Sequence, residues 1–218
     1  CLVGSEMCIR DSYCDRDGER AKKTFADLAK ELKVNIVAGS IANEKNGEIY
    51  NTAFVFNREG EVVAEYDKTH LFTPMDEHKF FSFGKNLVTF ELDGHKCGIV
   101  ICYDIRFCEL IRSLALRGID MLFMVSQWPL VRTSHIVTLT KARAIENQMF
   151  VVCCNSCGKT PDAVFGGHSQ IIDPWGEVLG AAGEKQEVIT ADCDFGTIKD
   201  IRNSINVFND RKPDLYEL

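Results

Sequence analysis

The sequence predicts a single α/β domain. Three observations favour this class: strand-like apolar runs alternate with amphipathic helical segments, turn signals separate them, and no repeat or linker divides the chain. With 218 residues, 45% of them hydrophobic, the chain is long enough to bury one sizeable core. We therefore expect one folded domain rather than two.

The first regular element is a predicted helix over residues 19–33. Phe25, Leu28, Ala29 and Leu32 recur there at the spacing of one helical face. Such a stripe is typical of an amphipathic helix that packs on a core. We expect these four side chains to form its buried face.

The remaining elements follow from apolar runs and turn signals. Asn-Gly at residues 46–47 and Asp-Gly at residues 93–94 are hairpin turn signals. Strands are predicted over residues 34–42, 50–57, 61–67, 88–92, 95–101, 121–126 and 149–154, and near 188–192. Helices are predicted over residues 107–117 and 135–148, a last hairpin turns at residues 173–176, and a polar tail ends the chain.

Cys102 is the strongest candidate for a chemically active side chain. An apolar strand over residues 95–101 leads directly into it, and a polar turn follows. A strand that ends on a thiol beside the first N–H groups of a helix favours the reactive thiolate. The alternative is an inert core cysteine, since free cysteine is often buried. Lys68 begins an irregular segment over residues 68–86, and such loops are usually functional, which favours the active interpretation.

Charge and composition exclude several classes of partner. The net charge of -7 argues against a nucleic-acid or anionic-membrane partner, since either requires a basic face. No apolar stretch approaches the roughly 18 residues of a membrane-spanning helix, and no secretory signal is evident. The ten cysteines follow no regular spacing, and a chain of this size needs no disulfides. We therefore expect a cytoplasmic protein.

The cluster of Cys153, Cys154 and Cys157 invites a metal interpretation. Cys154 and Cys157 have zinc-like spacing, but a structural zinc site needs a second pair nearby in sequence, which is lacking. Successive strand side chains also point to opposite faces, so Cys153 and Cys154 cannot easily bind one ion. We expect core cysteines on a strand and no metal site.

Six segments, in order, carry a resemblance to a known family. They are YDKTHLF (residues 66–72), GIVICYDIRF (98–107), QWP (127–129), ARAIENQ (142–148), DPWG (173–176) and DRKPDLY (210–216). On these segments the chain resembles the nitrilase superfamily of carbon–nitrogen hydrolases. The QWP and ARAIENQ segments, with MDEH at residues 75–78, most resemble the omega-amidase branch, whose members hydrolyse the side-chain amide of small 2-oxo acid amides.

The resemblance implies a fold, a catalytic triad and an assembly state. The family folds as an α-β-β-α sandwich, is usually dimeric and uses a Glu-Lys-Cys triad; we expect no cofactor. Cys102 matches the nucleophile, and Lys68 matches the lysine that stabilises the oxyanion together with the backbone N–H of Tyr103. Glu77 matches a second glutamate that orients the reacting groups. Taken alone, Lys68 and Glu77 would be interpreted as solvated side chains.

Five further residues receive less specific assignments. We assign Gln127 and Trp128 to the substrate pocket: Trp128 could be a core residue, but a Trp-Pro pair just past a strand end fits a pocket wall better. Arg143 and Glu146 lie three residues apart on one predicted helix, where they can simply pair with each other. Cys108 stands where relatives usually carry proline, a change that we expect to be neutral for the chemistry.

The first residues depart from the family pattern. Residues 1–12 resemble a translated sequencing adapter, and residues 13–218 resemble a hydrolase domain without its first strand, helix and second strand. The catalytic general-base glutamate would end that second strand. Glu6 is an unlikely substitute, because too few residues separate it from the predicted strand over residues 34–42. We therefore expect the chain as written to lack its general base and to be inactive.

The expected reaction is hydrolysis of a small amide. The resemblance favours the ω-amide of a 2-oxo acid, such as 2-oxoglutaramate, cleaved to the acid and ammonia through a cysteine thioester. One alternative is an N-carbamoyl amino acid amidohydrolase or a nitrilase of the same superfamily. Another is a non-catalytic homologue, against which the presence of Lys68, Glu77 and Cys102 argues. We expect a homodimer that acts on a small molecule.

Overall fold

Two β-sheets pack face to face and carry helices on their outer faces. The computed structural model describes residues 14–161 and 163–216. The expected leader over residues 1–12, including Glu6, lies outside the described residues. The layers form the predicted α-β-β-α sandwich, so the expected fold class is confirmed.

The four-stranded sheet comes from the first third of the chain. Its strands, in the spatial order β1-β2-β3-β4, are β1 (Asp15–Arg16), β2 (Ile36–Lys45), β3 (Glu48–Phe56) and β4 (Val62–Asp67). Strands β2, β3 and β4 are antiparallel neighbours, whereas the short β1 runs parallel to β2. Strand β4 therefore delivers Lys68, the next residue, at the end of the sheet.

The six-stranded sheet comes from the rest of the chain. Its strands are β5 (Thr89–Leu92), β6 (His95–Ile101), β7 (Met121–Ser126), β8 (Phe150–Asn155), β11 (Gln170–Ile172) and β12 (Val178–Ala181). Their spatial order is β12-β11-β8-β7-β6-β5. Strands β6, β7 and β8 are parallel, so their carboxyl ends meet at one edge of the sheet. Cys102 directly follows β6 at that edge.

Alternation along the strands of the six-stranded sheet buries both of its faces. Ile99 and Ile101 point toward the four-stranded sheet, where they meet Tyr66, and Val100 points the other way toward the helices. These side chains are almost completely buried. Full burial of such a side chain contributes about 1.5–3 kcal/mol, so this double-sided packing fixes where β6 ends.

Helices cover the outer faces of the sandwich. Helix α1 (Glu19–Leu32) lies on the four-stranded sheet, and α2 (Cys108–Leu116) and α3 (Thr133–Asn147) lie on the six-stranded sheet. The helix α4 (Gly196–Ser204) contributes Ile198 to the core between the sheets. No helix within residues 14–161 and 163–216 is long and apolar enough to cross a membrane.

The buried face of α1 differs from the prediction. Leu28 and Leu32 are 38% and 57% exposed, whereas Ala21 and Ala29 are buried against Phe54 on β3. The stripe is rotated because small alanines let the helix approach the aromatic face of the sheet closely. The prediction for Phe25 and Ala29 is confirmed, and that for the two leucines is wrong.

Four other features differ from the expectations. The predicted strand near residues 188–192 does not form, and Val188 is 91% exposed, because a chance apolar run finds no hydrogen-bonding partner there. A short hairpin of β9 (Cys157–Lys159) and β10 (Val164–Gly166) was not expected, nor was α4 within the predicted polar tail. The helix predicted from residue 107 begins at Cys108, after a separate turn.

Candidate active site

The ends of both sheets meet at one cavity. Lys68 follows β4 of the four-stranded sheet, and Cys102 follows β6 of the six-stranded sheet. The cavity encloses about 440 Å³, counting its open mouth. Its lining comprises Lys68, Phe72, Met75, Glu77, Cys102, Tyr103, Arg106, Gln127, Trp128, Pro129, Arg132 and Phe165. All six site residues predicted among the described residues therefore face one space.

Cys102 lies in a strained backbone conformation. Its φ of 49° is left-handed, a region that side-chain-bearing residues seldom adopt. Cys102 begins a 3₁₀ turn (Cys102–Arg106), so that this turn, and not α2, supplies the nearest helical N–H groups. The first N–H groups of such a turn, that of Tyr103 among them, have no partner within the turn. A reacting oxygen beside the thiol could accept this hydrogen bond.

Lys68 and Glu77 form a buried ion pair. The Nζ of Lys68 lies 2.9 and 2.6 Å from the two carboxylate oxygens of Glu77, and both residues are at most 2% exposed. The backbone N–H of Phe72 donates to the same carboxylate at 2.7 Å. The interpretation of Lys68 and Glu77 as solvated side chains is therefore wrong. Their irregular segment folds back through two short 3₁₀ turns, Thr73–Met75 and Glu77–Lys79.

Asp104 joins the two segments that carry Lys68 and Cys102. Its carboxylate accepts hydrogen bonds from the Tyr66 hydroxyl at 2.8 Å and from the backbone N–H of His70 at 2.9 Å. It also accepts from the backbone N–H of Ile101 at 3.0 Å. Asp104 is completely buried. Burial, and next the charge of Asp104, raise the pKa of Tyr66 far above its ordinary value, so Tyr66 stays a neutral donor.

Arg143 holds the turn after Cys102 from the opposite side. From α3, its guanidinium donates to the carbonyl oxygens of Ile105 at 3.0 Å and Arg106 at 3.1 Å. It also pairs with Glu146 at 2.8 Å, as the helical spacing predicted. The predicted pairing is therefore confirmed. The hydrogen bonds from Arg143 to the turn after Cys102 could not be predicted from its position in the sequence.

Trp128 forms one wall of the cavity. Its backbone N–H donates to the side-chain oxygen of Asn155 at 2.7 Å, and its indole N–H donates to the carbonyl of Arg132 at 2.8 Å. Trp128 is only 3% exposed, so it is both a core and a cavity residue. The neighbouring Gln127 side-chain oxygen is buried and has no hydrogen-bond partner. It is free to accept a hydrogen bond from a bound molecule.

The other cysteines differ from Cys102 in environment. Burial raises the pKa of Cys97 to about 12 and also raises the pKa of Cys153. Cys153 is buried and Cys154 is exposed, as expected for successive strand residues; the core assignment is wrong for Cys154. Every cysteine within the described ranges is a free thiol. No group of three or more potential metal-ligating side chains occurs among those residues.

Sequence reasoning missed several cavity residues. Phe165 lies on the unexpected hairpin β9–β10, and Arg132 lies on a short turn (Leu130–Arg132) after the QWP segment. Arg106 stacks on the ring of Trp128, with 4.7 Å between the guanidinium carbon and the ring centre. Among these three residues, only Arg106 could have been predicted to line the cavity, because it lies close to Cys102 in sequence. Phe165 reaches the cavity only through tertiary folding.

Comparison with known proteins agrees with this arrangement. A family model for carbon–nitrogen hydrolases matches residues 13–203. The chain is 46% identical to a 2-oxoglutaramate amidase of Bacillus subtilis over 214 residues, covering 98% of the chain and 83% of that protein. It is 35% identical to an omega-amidase of Homo sapiens over 213 residues, covering 94% and 77% respectively.

A solved structure shows the same architecture. The protein is Nit3 of Saccharomyces cerevisiae, a member of the nitrilase superfamily. The TM-score is 0.86 at 28% identity, and the match covers 97% of this chain and 79% of the yeast protein. The matched family model spans most of the chain. The two sheets of this protein bring the thiol of Cys102 together with Lys68 and Glu77 at one cavity. The chain therefore belongs to the carbon–nitrogen hydrolase family.

Proposed function

We propose that the protein hydrolyses the ω-amide of a small 2-oxo acid, such as 2-oxoglutaramate, to the acid and ammonia. One observation carries this proposal: a single cavity gathers Cys102, Lys68 and Glu77 with the cavity-wall residues Gln127 and Trp128. The similarity to a 2-oxoglutaramate amidase and to an omega-amidase supports the choice of substrate.

In the first half of the proposed reaction, Cys102 is the nucleophile. Its sulfur attacks the amide carbonyl, and a tetrahedral intermediate forms with a negative oxygen. The Lys68 ammonium and the Tyr103 backbone N–H stabilise that oxygen; one such donor is typically worth about 2.7–4 kcal/mol. The carbon–nitrogen bond then breaks, the nitrogen takes up the proton that the carboxylate general base removed from the Cys102 thiol and leaves as ammonia, and a thioester to Cys102 remains.

In the second half, water hydrolyses the thioester. Water loses a proton to a carboxylate, attacks the thioester carbonyl and releases the acid, and the proton returns to the sulfur. The carboxylate of Glu77 forms an ion pair with the Lys68 ammonium at 2.6 Å, so we propose that Glu77 positions this ammonium. We propose that the general base is a carboxylate outside residues 14–161 and 163–216.

The position of Glu77 also explains why Lys68 remains a useful cation in a dry site. A buried ammonium without a partner would carry a large desolvation penalty and would tend to lose its proton. The carboxylate of Glu77 offsets that penalty on one side of Lys68. The N–H groups of the Lys68 ammonium that do not face Glu77 can donate to a developing oxyanion in the cavity.

We further propose a homodimer in the cytoplasm. The helices that cover the six-stranded sheet leave Leu116 and Ile145 nearly half exposed, which supports an additional contact on that side. Cys97, Cys153 and Cys154 form no disulfide, which fits a reducing compartment. Light scattering of the purified protein tests the dimer.

A substrate panel tests the proposed activity. Ammonia release is measured from 2-oxoglutaramate, from N-carbamoyl amino acids and from small nitriles, with the protein encoded by the longest reading frame that contains this chain. We expect 2-oxoglutaramate to give the highest kcat/KM and Cys102→Ser to abolish turnover. Preference for a carbamoyl compound or a nitrile would replace the substrate assignment. Binding without turnover in any class would favour a non-catalytic homologue.

A further inference from the structure

We propose that Asp104 is a positioning residue that sets the distance between Lys68 and Cys102. The inference rests on the proposed function, in which Lys68 must face the carbonyl that Cys102 attacks. Lys68 and Cys102 belong to different sheets, so no strand pairing fixes their separation. A side chain that forms hydrogen bonds to both segments can fix this separation.

Asp104 contacts the Lys68 segment on both sides of Lys68. One carboxylate oxygen accepts from the hydroxyl of Tyr66, two residues before Lys68, at 2.8 Å. The other accepts from the backbone N–H of His70, two residues after Lys68, at 2.9 Å, and the His70 Nδ1 lies equally close. The carboxylate of Asp104 thus anchors the chain on both sides of Lys68, through Tyr66 and through His70.

Asp104 also contacts the Cys102 segment. It belongs to the 3₁₀ turn that Cys102 begins, and it accepts from the backbone N–H of Ile101, the residue before Cys102, at 3.0 Å. Because Asp104 is completely buried, water cannot replace any of these bonds. Loss of the carboxylate would free the two segments to move apart.

The chemistry of the carboxylate explains why asparagine should not replace it. An ionised carboxylate accepts at both oxygens, whereas an amide accepts at one end and donates at the other. Each oxygen of Asp104 receives a backbone N–H, one from His70 and one from Ile101. Asparagine would point its NH₂ group at one of them, so Asp104→Asn must weaken the contact to one segment.

The experiment compares Asp104→Asn with a matched variant, both made in the protein encoded by the longest reading frame that contains this chain. Asp15 is also buried, at 5% exposure, and its carboxylate accepts backbone N–H groups of Arg20 and Ala21 at the start of α1, away from the cavity. We expect Asp104→Asn to lower kcat on 2-oxoglutaramate roughly ten- to a hundred-fold with little change in KM. We expect Asp15→Asn to lower Tm and to leave kcat of the folded protein unchanged.

A double-variant cycle separates positioning from a general loss of stability. If Asp104 acts through Lys68, Asp104→Asn should lower kcat no further once Lys68→Gln is present. Tyr66→Phe, which removes one bond on the Lys68 side, provides a milder test should Lys68→Gln not fold. We expect it to lower kcat by roughly three-fold, in keeping with a single lost contact.

The outcomes are distinct. Unchanged kcat in both Asp104→Asn and Tyr66→Phe overturns the inference alone, because the wild-type protein is still active. An equal loss of kcat with and without Lys68→Gln also overturns it, because Asp104 would then act elsewhere. A wild-type protein without turnover on any amide, carbamoyl compound or nitrile overturns the proposed function together with the inference.

Discussion

The ammonium of Lys68 lies 2.6 Å from a carboxylate oxygen of Glu77, and neither side chain is more than 2% exposed. This buried pair lies within an irregular segment that connects the two sheets. Two charges withdrawn from water in this way depend on each other, because removing either one leaves the other without a partner. The pair therefore links the folding of the segment to the arrangement of the cavity.

The first prediction concerns the loss of this pair. Glu77→Gln should lower the free energy of unfolding by about 3–5 kcal/mol, because the Lys68 charge stays buried without its counter-ion. It should also lower kcat. Urea denaturation followed by circular dichroism measures the stability change.

The neighbouring pair of Asp76 and Lys79 provides the control. Its charged atoms lie 3.1 Å apart, but both side chains are more than half exposed. Asp76→Asn should change the free energy of unfolding by only about 0–1 kcal/mol, since exposed pairs are screened by water. Equal losses from Asp76→Asn and Glu77→Gln would contradict the role given to burial.

The second prediction concerns thiol reactivity. Cys102 should react fastest with iodoacetamide at neutral pH, because it lies at the start of a helical turn and faces a cavity that holds a lysine. Mass-spectrometric peptide mapping over time gives the rate for each thiol. The exposed thiol of Cys154 serves as the internal reference, and a rate at Cys102 no higher than at Cys154 would remove Cys102 as the nucleophile.

The third prediction concerns Gly84, which packs against the strand end before Lys68. A β-carbon at Gly84 would overlap the backbone carbonyl of Asp67, and the Gly84 N–H donates to the Lys68 carbonyl at 2.8 Å. Gly84→Ala should therefore lower both Tm and kcat. Gly39→Ala is the matched control, because a β-carbon there meets no atom within 4 Å. A Tm for Gly84→Ala equal to that of Gly39→Ala would refute the steric argument.

The fourth prediction concerns stability at high pH. Burial raises the pKa of Cys97 from 9.0 to about 12. The folded state therefore holds the thiol proton more tightly than the unfolded state does. The resulting contribution to the free energy of unfolding is fully present below pH 9 and is lost as the pH rises toward 12. Unfolding free energies should fall by up to about 1.4 kcal/mol per pH unit from this thiol. Cys97→Ala should flatten the slope, and Cys154→Ala should not.

Much of the sheet core was predictable from sequence. The strands β6 and β7 begin and end where predicted, because continuous apolar runs bounded by turn residues define a buried strand. Isolated apolar residues were less reliable. Val188 sits in a strand-like run but remains exposed, and Leu32 continues a helical stripe beyond the part of α1 that touches the sheet. Both failures reflect tertiary contacts that periodicity does not report.

The candidate site was predictable in its residues but not in its connections. Motif resemblance singled out Cys102, Lys68 and Glu77. The pairing of Lys68 with Glu77, and the contacts of Asp104 with Tyr66, depend on how an irregular segment folds between two sheets. No periodicity exists in such a segment, so its internal contacts become visible only in three dimensions.

The left-handed backbone conformation of Cys102 lowers the stability of the fold at a residue whose thiol is needed for activity. A side-chain-bearing residue in this conformation loses about 1–2 kcal/mol relative to its relaxed state, whereas glycine accepts it readily. Cys102→Gly should therefore raise Tm while removing the thiol altogether. A library of variants selected only for thermal resistance would be expected to enrich glycine at this position and to yield robust proteins without a nucleophile. Improving this enzyme by stability selection would require a simultaneous selection for turnover.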